Sequence, residues 1–336
     1  MFAAGKYIVL FLLPLVCFFF GKPDLREYTI KGYAQGTDYT IKYFAADSIV
    51  TKGAVDRILS VIDSSMSLYK PYSLICRFNA ADDGLQLDPH FVKVMRRSFE
   101  IYKDTRGKFD ATVQPLVQAW GFGAKSITKF PDSAEVKQLL ACVGMHHLSL
   151  KGNYLKKSKS CIKVDLNGIA QGYSVDVIAD YLNSKGIKSY VVEIGGELRM
   201  KGPKPDGTSL RIGIEGPAIS ADAEPVIRHV ISINNGAITT AGNYRKYLQK
   251  GAKKIAHLID PKTGYPLDNA LISVTIYAKD AITADGYDSP IMAMGLEEAL
   301  DFVNAKKGME AYIIYHKKDG SVADTLTNGF RKMIVN

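Results

Sequence analysis

Two abutting stretches, EYTIKGYAQG and TDYTIKYFA, alternate apolar and polar residues, a period that only paired, half-buried strands satisfy. The same period returns in YVVEI, LRIGIEG, HVISINNG and LISVTIYA. Ala54, Val55, Ile58, Leu59 and Ile62 recur instead at helical spacing. A second helix is predicted over 89–105, with proline in its first turn and Gly107 just past its end. A third spans 171–184, its apolar face made of Ser174, Val177, Ile178, Tyr181 and Leu182, with Gly186 as the stop. A late helix over 297–307 ends at Gly308, and AYIIYHKKDGS closes the chain with a strand and an Asp-Gly turn. Strands and helices mix without strict alternation. The expected fold is therefore α/β of the mixed α+β kind, a single compact two-lobed body with mixed sheets and flanking helices.

The first residues read differently. Lys6 precedes an apolar run over 7–20, too short to span a membrane comfortably, which reads as an export signal or an uncleaved anchor. Residues 1–22 are assigned to this segment and 23–336 to one folded domain, with no linker or repeat between. Cys17 follows LPLV, where a lipoprotein cysteine could sit, but Val16 is bulkier than lipoprotein processing prefers, so lipid attachment stays open. Cys76, Cys142 and Cys161 form no CxxC and no metal spacing, and they read as small buried apolar residues without a catalytic part. The net charge of +9 points to an anionic partner. The basic residues are scattered, which argues against nucleic acid and leaves a phosphorylated small molecule or a lipid surface.

ITADGYDSPIMAMG carries the most chemistry. Asp285, Asp288 and Ser289 gather three oxygen donors where an apolar helical pattern begins, the donor type that a hard cation such as Mg²⁺ takes. Pro290 places them in the first helical turn, where free N–H groups also favour phosphate. The alternative makes Asp288 a helix cap and Asp285 a solvated loop residue. VDLNGIAQGYSVD runs from a strand through Gly168 and Gly172 into a helix, and EIGGE sets a second glycine pair at a strand end; each lets backbone approach a ligand. MSLYKPYSLICRFNA and GKFDATVQPLVQAWGFG add Tyr69, Asn79, Asp110 and Trp120, aromatic and polar groups that suit a planar heteroaromatic ligand. For Trp120 a place in the core is the preferred reading.

In chain order, Gly36-Thr37, SLYKPYSLICRFN, GKFDATVQPLVQAWGFG, VDLNGIAQGYSVD, IGGEL, TTAGNY, HLIDPKTGYP and ADGYDS resemble the motifs of the FAD:protein FMN transferases, the ApbE flavin transferase family. The resemblance implies an ApbE-like body and a Mg²⁺-dependent enzyme. It moves FMN from FAD onto a threonine or serine hydroxyl of an acceptor flavoprotein and releases AMP. By position, Asp285, Asp288 and Ser289 would bind the metal with the carbonyl of Ala170. Tyr69 would stack on the flavin; Gln35, Lys108, Phe109, Asp110, Asn167, Tyr173 and Ile259 would line the rest of the FAD site, with Asn79 a further contact. His257 matches the family's histidine base, and a neutral imidazole, titrating near ~6.5, suits that work. Acceptors would be FMN-binding subunits of membrane redox complexes or exported FMN-binding domains, met at the periplasmic face of the inner membrane.

This chain departs from the family pattern at five positions. Ser289 replaces threonine but keeps the hydroxyl. Gln171 stands where many members have lysine, Gln35 where methionine is frequent, and Ala241 and Asn243 replace a serine and an aspartate. Two other readings share these residues: an FAD pyrophosphatase using water as nucleophile, and an exported flavin-binding protein without catalysis.

Overall fold

The computed structural model describes residues 24–216, 226–243, 247–250 and 253–335. The leader with Cys17, and with it the proposed boundary after residue 22, lies outside them. Strands β1 (Arg26–Ala34) and β2 (Thr37–Ala45) form the hairpin that the alternation predicts, paired from Arg26↔Ala45 to Ala34↔Thr37. Its two-residue loop holds Gln35 at φ 56° and Gly36 at φ 79°, the left-handed pair that matches strand twist.

Helix α1 (Lys52–Met66) is capped by Thr51 and α2 (Leu74–Ala80) by Ser73, and β3 (Gly84–Gln86) follows. Helix α3 (Pro89–Asp104) starts as the sequence indicates, with Asp88 accepting the Phe91 N–H and proline in the first turn. After α4 (Gln114–Ala119) and α5 (Ser133–Leu140), β4 (Leu148–Lys151) and β5 (Tyr154–Lys157) pair with β3 in a small three-stranded sheet. Then come α6 (Ala170–Ser184), β6 (Ser189–Ile194), β7 (Glu197–Lys201), β8 (Leu210–Glu215), β9 (Ile227–Ile233), β10 (Asn235–Gly242), β11 (Tyr247–Lys250), β12 (Lys253–Ala256) and β13 (Leu271–Ala278). The chain ends through α7 (Ala281–Met292), α8 (Leu296–Asn304), β14 (Glu310–His316), β15 (Val322–Leu326), α9 (Asn328–Met333) and β16 (Ile334–Val335).

The frame is an eight-stranded sheet ordered β1-β2-β6-β7-β10-β13-β14-β15, every neighbouring pair antiparallel. Antiparallel pairing is what a chain without strict β–α alternation can build from hairpins. Strand period two then sends alternate residues to two layers. Ile313 of β14 and Val274 and Ile276 of β13 pack with Phe91, Ile101, Ile291 and Val303 of the helices. Tyr312 and Ile314 instead face the β16-β9-β8 sheet and Phe330 of α9. Each such fully buried side chain contributes about 1.5–3 kcal/mol of transfer free energy. Trp120 is core, as preferred, with its indole N–H donating to the Gly264 carbonyl at 2.8 Å. Among the described residues no helix is long and apolar enough to cross a membrane.

Two expectations are corrected. The cysteines are not three unpaired apolar residues: Cys142 and Cys161 form a disulfide, with Cα atoms 5.6 Å apart. Cys161 is exposed, and of the described cysteines only Cys76 is free. The two lie 19 residues apart, and the return of the β4–β5 hairpin brings the loop after α5 to the loop after β5. Spacing alone cannot announce such a pairing. Cys142→Ser is expected to cost about 3 kcal/mol, the loop-closure term for a ring of this size. Denaturant unfolding checks it, since reductant should erase the difference from wild type.

The second correction concerns Pro290. Helix α7 does not begin there; it starts at Ala281 behind Asp280, whose side chain caps the Thr283 N–H, and Pro290 lies near its C-terminal end. The signal was Asp280 three residues before Thr283, a capping pattern upstream of the segment that drew attention. Burial of ten of the helix residues overrides the proline's local preference. Asp285 and Asp288 are therefore neither caps nor loop residues, and they meet no free N–H groups of their own helix.

Candidate active site

Helix α7 lies on β10 and β13, α6 on β6 and β7, and the two helices cross in close contact. Each supplies a carboxylate to the other's first turn. Asp176 of α6 accepts the N–H groups of Ala281 and Ile282 of α7, both at 2.9 Å. Asp285 of α7 accepts the N–H of Gly172 of α6 at 2.7 Å. Both carboxylates thus sit at the positive end of a helix dipole. The crossing depends on Gly172: a Cβ there would stand 2.3 Å from the Ala281 carbonyl oxygen and 2.6 Å from Asp285 Cβ. Gly172→Ala should push the helices apart and destabilise the fold by about 1–3 kcal/mol, the usual cost of overpacking, read by denaturant titration.

Asp285 and Asp288 are 4 % and 3 % exposed and lie one helical turn apart on one face. Burial pushes Asp285 up to about 7, against the lowering effect of the Gly172 N–H. Burial, then the nearby Asp285, raises Asp288 well above the carboxylate range; Ser289 Oγ donates to Asp288 Oδ1 at 3.1 Å. A third acid, Glu197 at the start of β7, was not among the expected site residues. Burial first, then Asp285 and Asp288, hold its carboxyl high. Its motif IGGEL had been noted; what was missing was the strand register that turns position 197 toward the helices.

Ala170 opens α6, and its carbonyl accepts Ser174 Oγ at 2.8 Å. Gln35 Nε2 donates to that same Ser174 Oγ at 2.8 Å, so the β1–β2 turn is tied to the first turn of α6. Gln171 reaches the other hairpin, its Nε2 donating to the Ile194 carbonyl at 3.1 Å beside Gly195. Tyr173 is buried, its hydroxyl 2.7 Å from His90 Nδ1, and burial raises that phenol to about 12.

The remaining candidates divide into exposed faces and braces. Tyr69 is 61 % exposed in the turn between α1 and α2, a free aromatic face, and its phenol feels the charge of Asp165. Asn167 is exposed, with its N–H held by Asp165 at 2.8 Å. Asn79 braces the same loop: its amide donates to the Val164 carbonyl at 2.9 Å and accepts the Val164 N–H at 2.7 Å. Asp110 is an internal brace as well, accepting from the Thr112 N–H and hydroxyl and from the Met145 N–H. Phe109 is buried, and Lys108 Nζ donates to the Ala293 carbonyl at 2.9 Å, just past the end of α7.

His257 follows β12, half-buried, its ring edge-on to Phe122 at 6.2 Å between centroids. Ile259 bridges to Pro266 and packs near Trp120. The turn beyond is fixed by Asp260, whose side chain accepts the Lys262 N–H and whose carbonyl accepts the Gly264 N–H, each at 2.8 Å. The turn packs against residue 107, and Asn269 Nδ2 donates to the Met292 carbonyl of α7 at 2.7 Å. The histidine loop and the acidic helix thus share a scaffold.

No Lys, Arg or His among the described residues pairs with Asp285, Asp288 or Glu197, although three acids converge there. No three of His, Cys, Asp and Glu form a chelating set among the described residues either. Two carboxylates with a hydroxyl and a carbonyl fit a hard cation that keeps most of its waters, not a soft metal.

Fold and site together define a particular class: an antiparallel-sheet α/β protein whose acidic centre lies where two mutually capping helices cross on the sheet. Residues 35–313 match the model of the ApbE family, and the chain belongs to that family. It is 35 % identical to the FAD:protein FMN transferase of Vibrio cholerae, over 91 % of this chain and 92 % of that one. It is 34 % identical to the Haemophilus influenzae protein of the same name, covering 92 % of each. The solved flavin transferase ApbE from Vibrio cholerae superposes with a TM-score of 0.83 at 35 % identity, over 92 % of this chain and 100 % of that one.

Proposed function

We propose that the protein transfers FMN from FAD to a threonine or serine hydroxyl of an acceptor flavoprotein, releasing AMP, in a Mg²⁺-dependent reaction. The observation that carries the reading is the pair of buried carboxylates, Asp285 and Asp288, one turn apart on the helix that crosses the start of α6, in a chain that belongs to this family. Asp285, Asp288, Ser289 and the Ala170 carbonyl would hold the ion. When bound, Mg²⁺ supplies charge neutralisation at the pyrophosphate oxygens.

The chain's own residues do the rest. Tyr69 offers its exposed ring to the isoalloxazine. Gln35, Lys108, Phe109, Asp110, Asn167, Tyr173 and Ile259 line the dinucleotide, with Asn79 a further contact. His257 accepts the proton of the acceptor hydroxyl as that oxygen bonds to the FMN phosphorus. The bond to the AMP oxygen breaks, and its electron pair leaves with AMP. The reading extends to an exported enzyme at the outer face of the inner membrane. The Cys142–Cys161 disulfide supports that, because such bridges persist in oxidising compartments.

The deciding experiment incubates the protein with FAD, Mg²⁺ and a candidate FMN-binding domain, followed by in-gel flavin fluorescence and intact mass. A covalently flavinylated acceptor together with AMP is the expected result. Free FMN and AMP with an unmodified acceptor would make the protein a pyrophosphatase; FAD left intact would make it a binding protein.

A further inference from the structure

Strand β7 turns one more acid toward the cation site. Leu198 pairs with Ile238 of β10, and Leu198 and Met200 pack toward the β8–β9 layer. Period two therefore sends Glu197 and Arg199 to the opposite face, under α6 and α7. Arg199 confirms the direction, its Nη1 lying 2.5 Å from Asp176 Oδ1. Arg199 is thereby engaged, and Glu197 keeps no cation. Its Oε2 is sealed from solvent and has no hydrogen-bond partner. Continuing the register, Thr239 of β10 lies across from it, fully buried, with its hydroxyl turned to Asp288. Glu197 Oε2, sealed and without a partner, thus looks from the sheet toward the two carboxylates of α7. A buried acceptor left unsatisfied beside like charges is costly unless a donor arrives with a ligand.

We propose that Glu197 is the third carboxylate of the cation site and binds the ion's coordinated water rather than the ion, setting the affinity for a Mg²⁺-class cation. The inference rests on the reading of Asp285 and Asp288 given above. Outer-sphere contact agrees with the absence, among the described residues, of a chelating set of three acids. It also agrees with the habit of Mg²⁺ of keeping several waters.

The test measures Mg²⁺ binding by calorimetry and Mn²⁺ binding by electron paramagnetic resonance for wild type, Glu197→Gln and Asp285→Asn. Glu197→Gln should weaken both cations by about 10–100-fold, the size of effect that outer-shell partners have. In EDTA its melting temperature should equal or exceed that of wild type, because the neutral amide brings no charge to the acidic cluster. Wild-type affinity in Glu197→Gln, or a lowered melting temperature with unchanged affinity, overturns the inference and leaves the proposed function standing. Failure of wild type itself to bind either cation would instead defeat the reading of Asp285 and Asp288. Should Glu197→Gln not fold, a crystal structure of wild type with Mn²⁺ decides. A metal-bound water within hydrogen-bonding distance of Glu197 Oε2 is expected, and direct coordination or no contact overturns the assignment.

Discussion

His257→Ala is expected to slow FMN transfer by about 10²–10⁴-fold, the usual contribution of a positioned general base, while FAD and Mg²⁺ still bind. A threonine hydroxyl holds its proton tightly at neutral pH, so attack on phosphorus stalls unless the proton is taken as the bond forms. The imidazole sits on a loop with little freedom. Phe122 meets its ring edge-on, and the following turn is closed by Asp260 and pinned by Trp120 through the Gly264 carbonyl. Gly264 itself has φ 78°, and a Cβ there would stand 2.6 Å from Val136 Cγ1, so the turn tolerates little rearrangement. Alanine removes the imidazole and its Phe122 contact but leaves the hydrogen bonds of the turn in place. Initial rates of acceptor flavinylation, with FAD affinity from flavin fluorescence, separate catalysis from binding. Partial rescue by free imidazole would mark a proton acceptor, whereas a merely structural histidine would not be rescued. A variant that works at the wild-type rate refutes the assignment.

Asp285→Ala should abolish both transfer to the acceptor and hydrolysis of FAD, a loss of more than about 10²-fold, because in the proposed function every reaction at the pyrophosphate would share the same cation. The side chain has two duties, and they can be separated. Its Oδ2 accepts the Gly172 N–H, so alanine also leaves the first turn of α6 without that acceptor, at about 1 kcal/mol. Asp285→Asn keeps an acceptor oxygen and removes the charge. Near-native thermal unfolding with activity still lost would assign the defect to the cation. Excess EDTA on wild type should reproduce it, and full turnover in EDTA would exclude a metal role altogether.

The local elements were legible because their signals are local. The β1–β2 hairpin, α3 from its Asp88-Pro89 start, α6 and β13 follow from periodicity and from caps a few residues away. So were the residue types of the site, since Asp285, Asp288 and Ser289 lie within five positions of one another. The start of α7 was misread because Pro290 was weighed by its own preference. Burial on α6, β10 and β13 in fact sets that helix. Asp110 and Asn79 read as ligand-binding polar groups in the sequence; what the sequence does not show is that they also brace loops, through Met145 35 residues away and Val164 85 residues away. Which partner a polar side chain finds is settled by segments far along the chain.

Periodicity, capping and the chemistry of a few short segments are written in the sequence itself, and they were enough for β1, β2, β6, β8, β9, β13 and β14, for α1, α3, α6 and α8, and for the family resemblance. Only the tertiary structure joined Cys142 to Cys161, crossed α6 over α7 on Gly172, and turned Glu197 toward the acids of α7. The physical reason is distance along the chain. Propensity acts over one or two turns, whereas these contacts join segments from 19 to more than 100 residues apart and exist only once the sheet has set their register.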